Sequence, residues 1–472
     1  MNPQNNLSHN SHAIVIGGSM TGLLTARILI NHYNRVTIIE RDRLPDQPIY
    51  RPGVPQSRQG HVLLERGRAI LEELFPGFQE EIVARGAHPL DMAEDLAWLT
   101  PFGWGIRFDL NVIMLSCSRF FLEWNVRRRL NAFPQIKFQQ GSEVKGLLMD
   151  AEGVLVTGAR VRTGEEEKPL FADLVVDASG RNSKAPQWLE QLGYLPPQET
   201  IVTAHIGYAS RVYEFPEGLD ADWKGFLVQT LPPYQPRGGF LLPIEGNRWL
   251  VTLGGGDGDY PPGDEEAFLE FIRTLPTPVM YDAIQKAKAR SPIYCYRGTQ
   301  NHLRQYDRLS QLPDGFVALG DSVCAFNPIY GQGMTAAALS ALLLDRTLKT
   351  WQKDSLWGFS LHFQKKLAKE NAPLWEMATT EDCRYQTVVG MSPTPSVRFM
   401  HGYMDRVVAL TTESVFVRQT LLNVFNLLTP AIALFHPKIL LRVLKKVLLG
   451  GVRDRAKASK PLPSQFKLQN HA

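Results

Sequence analysis

Ala13-Ile-Val-Ile-Gly-Gly-Ser-Met-Thr-Gly22 decides the fold. Four apolar residues run into a glycine turn, the turn opens a helix from Met20 to about Asn31, and Arg35-Val-Thr-Ile-Ile-Glu40 follows as a second strand. This is the βαβ pattern of a dinucleotide-binding unit. Gly17 permits the tight turn, Gly22 lets the helix lie close on the strand, and the N–H groups at the helix start face a pyrophosphate. Glu40, 18 residues beyond Gly22, is placed at a strand end to accept hydrogen bonds from a ribose. The middle glycine of G-x-G-x-x-G is replaced by Ser19, which is small but narrows the backbone approach.

Working outward, the loop Pro48-Ile-Tyr-Arg51-Pro-Gly-Val-Pro-Gln56 is held extended by its prolines. Arg51 and Gly53 read equally as solvated loop residues or as neighbours of a cofactor. His61 opens a segment of helical character, Val62 to Leu74, and strands of a second sheet are expected between Pro101 and Met114. Ser116 or Ser118 caps a helix beginning at Arg119, a cation in the first turn where the helix dipole disfavours it, so a polar or anionic partner is expected there. Arg127-Arg-Arg129 reads as a solvated face, because no aromatic platform accompanies it as nucleic-acid binding would need.

Strands from Ile136 to Val176 lead into Asp177-Ala-Ser-Gly180-Arg181, a turn that can approach a phosphate or ribose. Residues 200 to 300 are rich in strands, with a hairpin turning at Glu245-Gly-Asn-Arg248 and helices near Asp264–Arg273 and Pro278–Lys288. In this region Phe240, Trp249, Tyr294 and Tyr296, with Trp104 upstream, read first as sheet core and second as pocket lining. Then comes Gly320-Asp321-Ser-Val-Cys-Ala-Phe-Asn327-Pro328-Ile-Tyr-Gly331-Gln-Gly333. Here a strand delivers Asp321, Pro328 stiffens a loop, and Gly331 and Gly333 let backbone approach a flat ring at the start of a long helix, Met334 to about Thr350.

Composition bounds the rest. The chain of 472 residues is too long for one core, and its 44% hydrophobic and 21% charged residues are those of a globular protein. The first dozen residues lack a cationic start and an apolar stretch, so the expected location is the cytoplasm. Cys117, Cys295, Cys324 and Cys383 lie far apart without C-x-x-C or Cys/His spacing, which argues against a structural zinc and a redox-active disulfide. The net charge of +4 conceals a basic tail: residues 436–472 sum to +8, leaving the body at −4. Two apolar helices, Val417–Leu428 and Lys438–Leu449, are too short to span a bilayer. In the second, Lys438, Arg442, Lys445 and Lys446 form a cationic stripe beside Leu440, Leu444, Val447 and Leu448. That arrangement fits either an interfacial helix on anionic lipid or an appendage packed on the body.

With these motifs in this order, the chain resembles the single-component flavoprotein monooxygenases of the p-hydroxybenzoate hydroxylase fold, over about residues 12 to 350. The phrases Arg51-Pro-Gly-Val-Pro-Gln56 through His61 and Asn327 through Thr335 look most like the subgroup near squalene and polyketide epoxidases. The resemblance implies an α/β fold: a Rossmann-like FAD-binding domain (12–90, 116–199 and 301–350) interleaved with a β-sheet substrate domain (91–115 and 200–300), and a C-terminal helical region with a basic tail (351–472). It implies FAD held by Gly17, Ser19, Gly22, Glu40, Arg51, Arg119, Asp177, Gly180, Asp321, Pro328, Gly331 and Gly333, with Asp321 on the ribityl chain and Glu40 on the adenosine ribose. Cys324 stands where many members have histidine, so no role of that histidine carries over.

The activity implied is hydroxylation or epoxidation of an apolar small molecule, using NAD(P)H and O₂ through a flavin C4a-hydroperoxide. No metal and no nucleic acid are expected, and no catalytic base stands out. Three alternatives stay open. A reductase of isoprenoid double bonds shares the motifs. A flavin halogenase shares the fold, but Phe102-Gly-Trp104-Gly-Ile106 lacks the first tryptophan and the proline of its W-x-W-x-I-P motif. The third is a non-catalytic flavin-binding scaffold.

Overall fold

The computed structural model describes residues 11–216, 221–351 and 355–448. A parallel five-stranded sheet lies at its centre, in the order Phe316–Ala318, Leu174–Asp177, His12–Ile16, Arg35–Glu40, Ile136–Gln140. Ile14 sits opposite Val175 on one side and Thr37 on the other. Every residue of His12–Ile16 is buried, as a parallel strand covered on both faces requires. The covering helices are Met20–Leu29, Arg119–Leu130 and Gly333–Thr350, whose Leu23, Leu122 and Leu344 join one core with the sheet.

A second sheet of seven strands runs Tyr294–Tyr296, Gly207–Glu214, Arg248–Gly255, Gly238–Ile244, Gly225–Val228, Leu96–Thr100, Gly103–Trp104. Strand alternation gives it two faces. Ala209, Phe226, Leu241, Trp249 and Val251 pack outward against the helices Glu265–Arg273 and Val279–Ile284. Ser210, Phe240 and Thr252 face the first domain, where the Gly60 N–H donates to Thr252 Oγ1 at 3.1 Å and Ser210 Oγ to Gln59 Oε1 at 2.7 Å. Trp104 and Trp249 therefore belong to the outer core, whereas Phe240, Tyr294 and Tyr296 look inward.

Several expectations shift. The helix after His61 starts at Glu65, because Leu63 is held in a bridge to Leu115. Pro278–Lys288 shortens to Val279–Ile284, since the chain turns to pair Ala289 with Tyr213. Between Pro101 and Met114 only Gly103–Trp104 and the start of Ile113–Ser116 are strand, the latter paired with His88–Asp91 rather than with the large sheet. The arginine run is not a solvated face: Arg128 and Arg129 share Glu81, and Arg127 donates to the Pro45 carbonyl.

Among its described residues the C-terminal region holds four α-helices, Phe359–Asp382, Pro395–Leu410, Val415–Phe425 and Pro437–Leu448. The last buries Ile439 and Val443 but exposes Leu440, Leu441, Leu444, Val447 and Leu448, so packing on the body accounts for one stripe of it only. Among the described residues no helix is long and apolar enough to cross a membrane. The N-terminal ten residues, Leu449 and the basic tail lie outside the described residues.

Candidate functional site

The glycine turn closes as its sequence requires. Gly17 has φ +102°, its N–H donates to the Ile39 carbonyl at 2.8 Å, and a Cβ there would lie 2.6 Å from the Ala178 oxygen. A Cβ on Gly22 would lie 1.8 Å from the Gly17 oxygen, so this helix packs on its strand through glycine alone. The helix start carries no side-chain cap and no acidic residue in its first turn, which leaves its N–H groups to an external anion.

Ser19 has a task that a glycine could not perform. Its hydroxyl accepts from Arg119 Nη2 at 2.9 Å and donates to Glu123 Oε2 at 2.9 Å, fixing both beside the turn. Glu40 accepts from the Gly18 N–H at 2.7 Å and the Asp42 N–H at 2.9 Å, which holds its carboxylate at the strand end.

Arg51 and Arg119 converge here, from a loop and from a helix whose N-cap is Ser118. Glu123 ties them together, with Oε1 2.8 Å from Arg51 Nε and Oε2 3.1 Å from Arg119 Nη1. Burial opposes ionisation of Glu123, but the two guanidinium groups outweigh it and hold the carboxyl below its usual range. Arg51 is further bound by Asp42 at 2.9 Å and Glu40 at 3.3 Å, and these partners with Glu123 outweigh burial and raise its pKa. Burial dominates at Arg119 and lowers its pKa, and its Nη1, though 3.1 Å from Glu123 Oε2, is not directed at that oxygen for a hydrogen bond. A buried guanidinium with an unused donor, beside an uncapped helix start and two glycines that exclude any side chain, fits the diphosphate of a dinucleotide. Glu123 went unremarked in the sequence; its one signal was the i,i+4 spacing to Arg119.

Asp177 is wholly buried, and its oxygens accept from the Ser179 N–H, Ser179 Oγ and Ser183 Oγ at 3.0, 2.5 and 2.5 Å. It orders the turn from within. Gly180 follows at φ +85°, half-buried and with open space where a side chain would be. Its N–H donates to Ser322 Oγ at 2.8 Å, joining this turn to the Gly320–Asp321 turn. Asp321 leaves a third of its side chain exposed and lies 3.9 Å from Arg181 Nε, with no hydrogen-bond donor on it among the described residues. Its carboxylate is thus available to a hydroxylated ligand.

Pro328–Tyr330 forms a single 3₁₀ turn capped by Asn327, whose Oδ1 accepts from the Ile329 N–H at 3.2 Å. Gly331 closes it at φ +64°, where a Cβ would meet Val62 at 2.7 Å, and the Cβ position of Gly333 is open. The Gly333 helix has neither a side-chain cap nor an early acidic residue, so its positive end can face a ring that acquires negative charge.

Behind this loop sits Asp382, a residue that no sequence motif singles out. It is wholly buried at the end of the Phe359 helix, and three neutral donors reach it: Asn301 Nδ2 at 2.7 Å, Asn327 Nδ2 at 3.0 Å and the Tyr330 hydroxyl at 3.3 Å. Both amides are oriented by their other bonds, Asn301 Oδ1 accepting from the Asn327 N–H and Asn327 Oδ1 from the Tyr208 hydroxyl. Burial without a cationic partner outweighs these bonds and pushes the carboxyl up to about 7.

The FAD binding domain profile matches residues 10–351. Protein Rv3254 of Mycobacterium tuberculosis is 35% identical over 395 residues, covering 79% of this chain and 80% of that protein. The 6-methylpretetramide 4-monooxygenase of Streptomyces rimosus is 30% identical over 335 residues, covering 70% and 72%. A solved flavoprotein/dehydrogenase from Cytophaga hutchinsonii superposes with a TM-score of 0.66 at 14% identity, over 94% of this chain and 99% of that one, a likeness of fold alone. The chain belongs to the FAD-binding domain family, as a flavin monooxygenase of the p-hydroxybenzoate hydroxylase fold.

Proposed function

We propose that the protein uses NAD(P)H and O₂ to insert one oxygen atom into an apolar small molecule, by hydroxylation or epoxidation. The observation that carries this reading is the Asn327–Gly333 loop. A rigid turn and an uncapped helix start there meet the inward face of the second sheet, where the Tyr208 hydroxyl donates to Asn327 Oδ1 and Ile329 packs with Tyr208 and Tyr296. In this reading Gly17, Ser19, Gly22, Arg51 and Arg119 hold the FAD diphosphate, Glu40 the adenosine ribose and Asp321 the ribityl chain. Asp177 and Gly180 shape the turn between them, and Pro328, Gly331 and Gly333 border the ring. Bound FAD supplies two-electron transfer from nicotinamide and the activation of oxygen. The start of the Gly333 helix stabilises negative charge beside the ring, and the apolar sheet face keeps water from it.

Oxygen uptake stoichiometric with NAD(P)H oxidation, and a product one oxygen heavier than its substrate, are the expected results for purified protein. A preparation without flavin, or a product changed by two hydrogens, refutes the reading, and the second outcome identifies a reductase.

For the C-terminal end we propose contact with an anionic membrane surface. The exposed Leu440, Leu441, Leu444, Val447 and Leu448 adjoin Lys438 and Lys445, and the helix bears no acidic residue, so two copies meeting there would set like charges together. Co-sedimentation with phosphatidylserine vesicles that is lost in L441D/L444D/L448D supports this contact; equal sedimentation of the two proteins rules it out.

A further inference from the structure

The inward face of the second sheet carries an apolar strip that ends on an arginine. Leu227 pairs with Phe240 on one side and with Trp98 on the other, so these three side chains share that face across neighbouring strands. The ring of Phe240 fills the space that a Cβ on Gly60 would take, at 2.2 Å, and Val62 does the same for Gly331 at 2.7 Å. Val62, Phe240, Leu227, Trp98 and Phe425 thus belong to one cluster that reaches from the Gly331 loop to the Val415 helix, with Phe240 and Trp98 two strand spacings, about 10 Å, apart.

At the far end lies Arg418. It is 1% exposed, its guanidinium stands 5.5 Å from the Trp98 ring centre, and it occupies the space that a side chain at Gly105 would need. Neither Nε nor Nη2 has a hydrogen-bond partner. The carboxylate that most influences it, Asp91, already accepts from the Ala93 and Glu94 N–H groups on Oδ1 and from the Leu110 N–H on Oδ2. Arg107 adds repulsion and is itself engaged by Asp222. Burial without a counter-ion draws the Arg418 pKa down to about 10, which still leaves it charged at neutral pH. A buried cation with two unused donors calls for an acceptor from outside the chain.

We propose that Arg418 anchors the substrate through an anionic oxygen, a carboxylate or an ionised phenol or enol, carried at one end of an otherwise apolar, extended aromatic molecule. The opposite end then lies along Phe240 towards the Gly331 loop, and stacking on Trp98 holds the guanidinium in register. This rests on the oxygenase reading and narrows its substrate class.

The test uses flavin-loaded protein with anthracene-2-carboxylate and its neutral counterpart anthracene-2-carboxamide. Binding is followed by tryptophan fluorescence and flavin absorbance. Wild type should bind the carboxylate at least tenfold more tightly than the carboxamide. R418Q should lose that preference while keeping its flavin and its affinity for the carboxamide, and R418K should retain part of it. Undiminished carboxylate binding by R418Q overturns the proposal, as does equal binding of the two probes by wild type or binding of neither. The wild-type comparison decides the matter if R418Q does not fold. Protein purified without flavin but still preferring the carboxylate by fluorescence would refute the oxygenase reading and leave the anchor standing.

Discussion

Replacing Glu123 by alanine tests the anion site through its counter-ion. Arg51 keeps Asp42 and Glu40 in the variant, but among the described residues Arg119 reaches one carboxylate, Glu123, and otherwise the neutral Ser19 hydroxyl. Removing one partner of a buried pair costs about 3–5 kcal/mol, because the remaining charge stays buried. At about 2.1 cal/mol/K per residue, a chain of 472 residues melting as one unit loses roughly 1 °C per kcal/mol. Flavin-free Glu123→Ala should therefore melt about 3–5 °C below wild type. A phosphate oxygen bonded to the freed guanidinium returns about 1.5–3 kcal/mol, so saturating FAD should raise the Tm of the variant by about 1.5–3 °C more than that of wild type. Scanning calorimetry on both proteins, with and without FAD, reads all four numbers. An apo variant within about 1 °C of wild type would show that Arg119 does not depend on Glu123. Equal FAD shifts would refute the placement of the diphosphate beside Arg119.

Asp321→Ala removes an acceptor for the ribityl hydroxyls and should weaken FAD binding about ten- to a hundredfold with the far-UV spectrum unchanged; unaltered flavin occupancy after dialysis contradicts that role. Gly22→Ala places a methyl group 1.8 Å from the Gly17 oxygen, so the protein should be recovered without flavin or unfolded, and normal flavin content would mean the turn can shift. Asp382 titrates near 7 in the fold and near 4 when unfolded, so between those values the native state holds a proton that the unfolded chain lacks. Stability should fall as pH rises through that window, by up to about 1.4 kcal/mol per pH unit from this group. Urea titrations from pH 5 to 7 should show a shallower fall for Asp382→Asn, and parallel curves would remove Asp382 as the source.

The sequence announced the parts of this molecule that are local in the chain. The strand–turn–helix at Ala13 to Gly22 and the Gly320–Gly333 stretch are set by backbone demands that only glycine and proline meet at fixed spacing, so both were legible as written. Ser19 was legible as a departure but not as a contact, because its partners Arg119 and Glu123 lie about a hundred residues away. Arg127 to Arg129 misled for the same reason: Glu81 and the Pro45 carbonyl come from separate segments. Asp382 and Arg418 carried no signal, since nothing in one sequence tells a buried, uncompensated charge on a helix from an exposed one. The paired sheet faces separated Phe240 from Trp249, a distinction that alternation alone leaves undecided until the register is known.

The joint at Asp382 bears on how such enzymes diversify. The profile match ends at residue 351, yet Asp382, on a helix beyond that limit, holds the amides of Asn301 and Asn327 and the hydroxyl of Tyr330 within it. Core and tail are therefore not interchangeable cassettes. A chimera that grafted another tail after residue 351 would leave three donors facing a cavity, and tails can be swapped only together with the loop they brace.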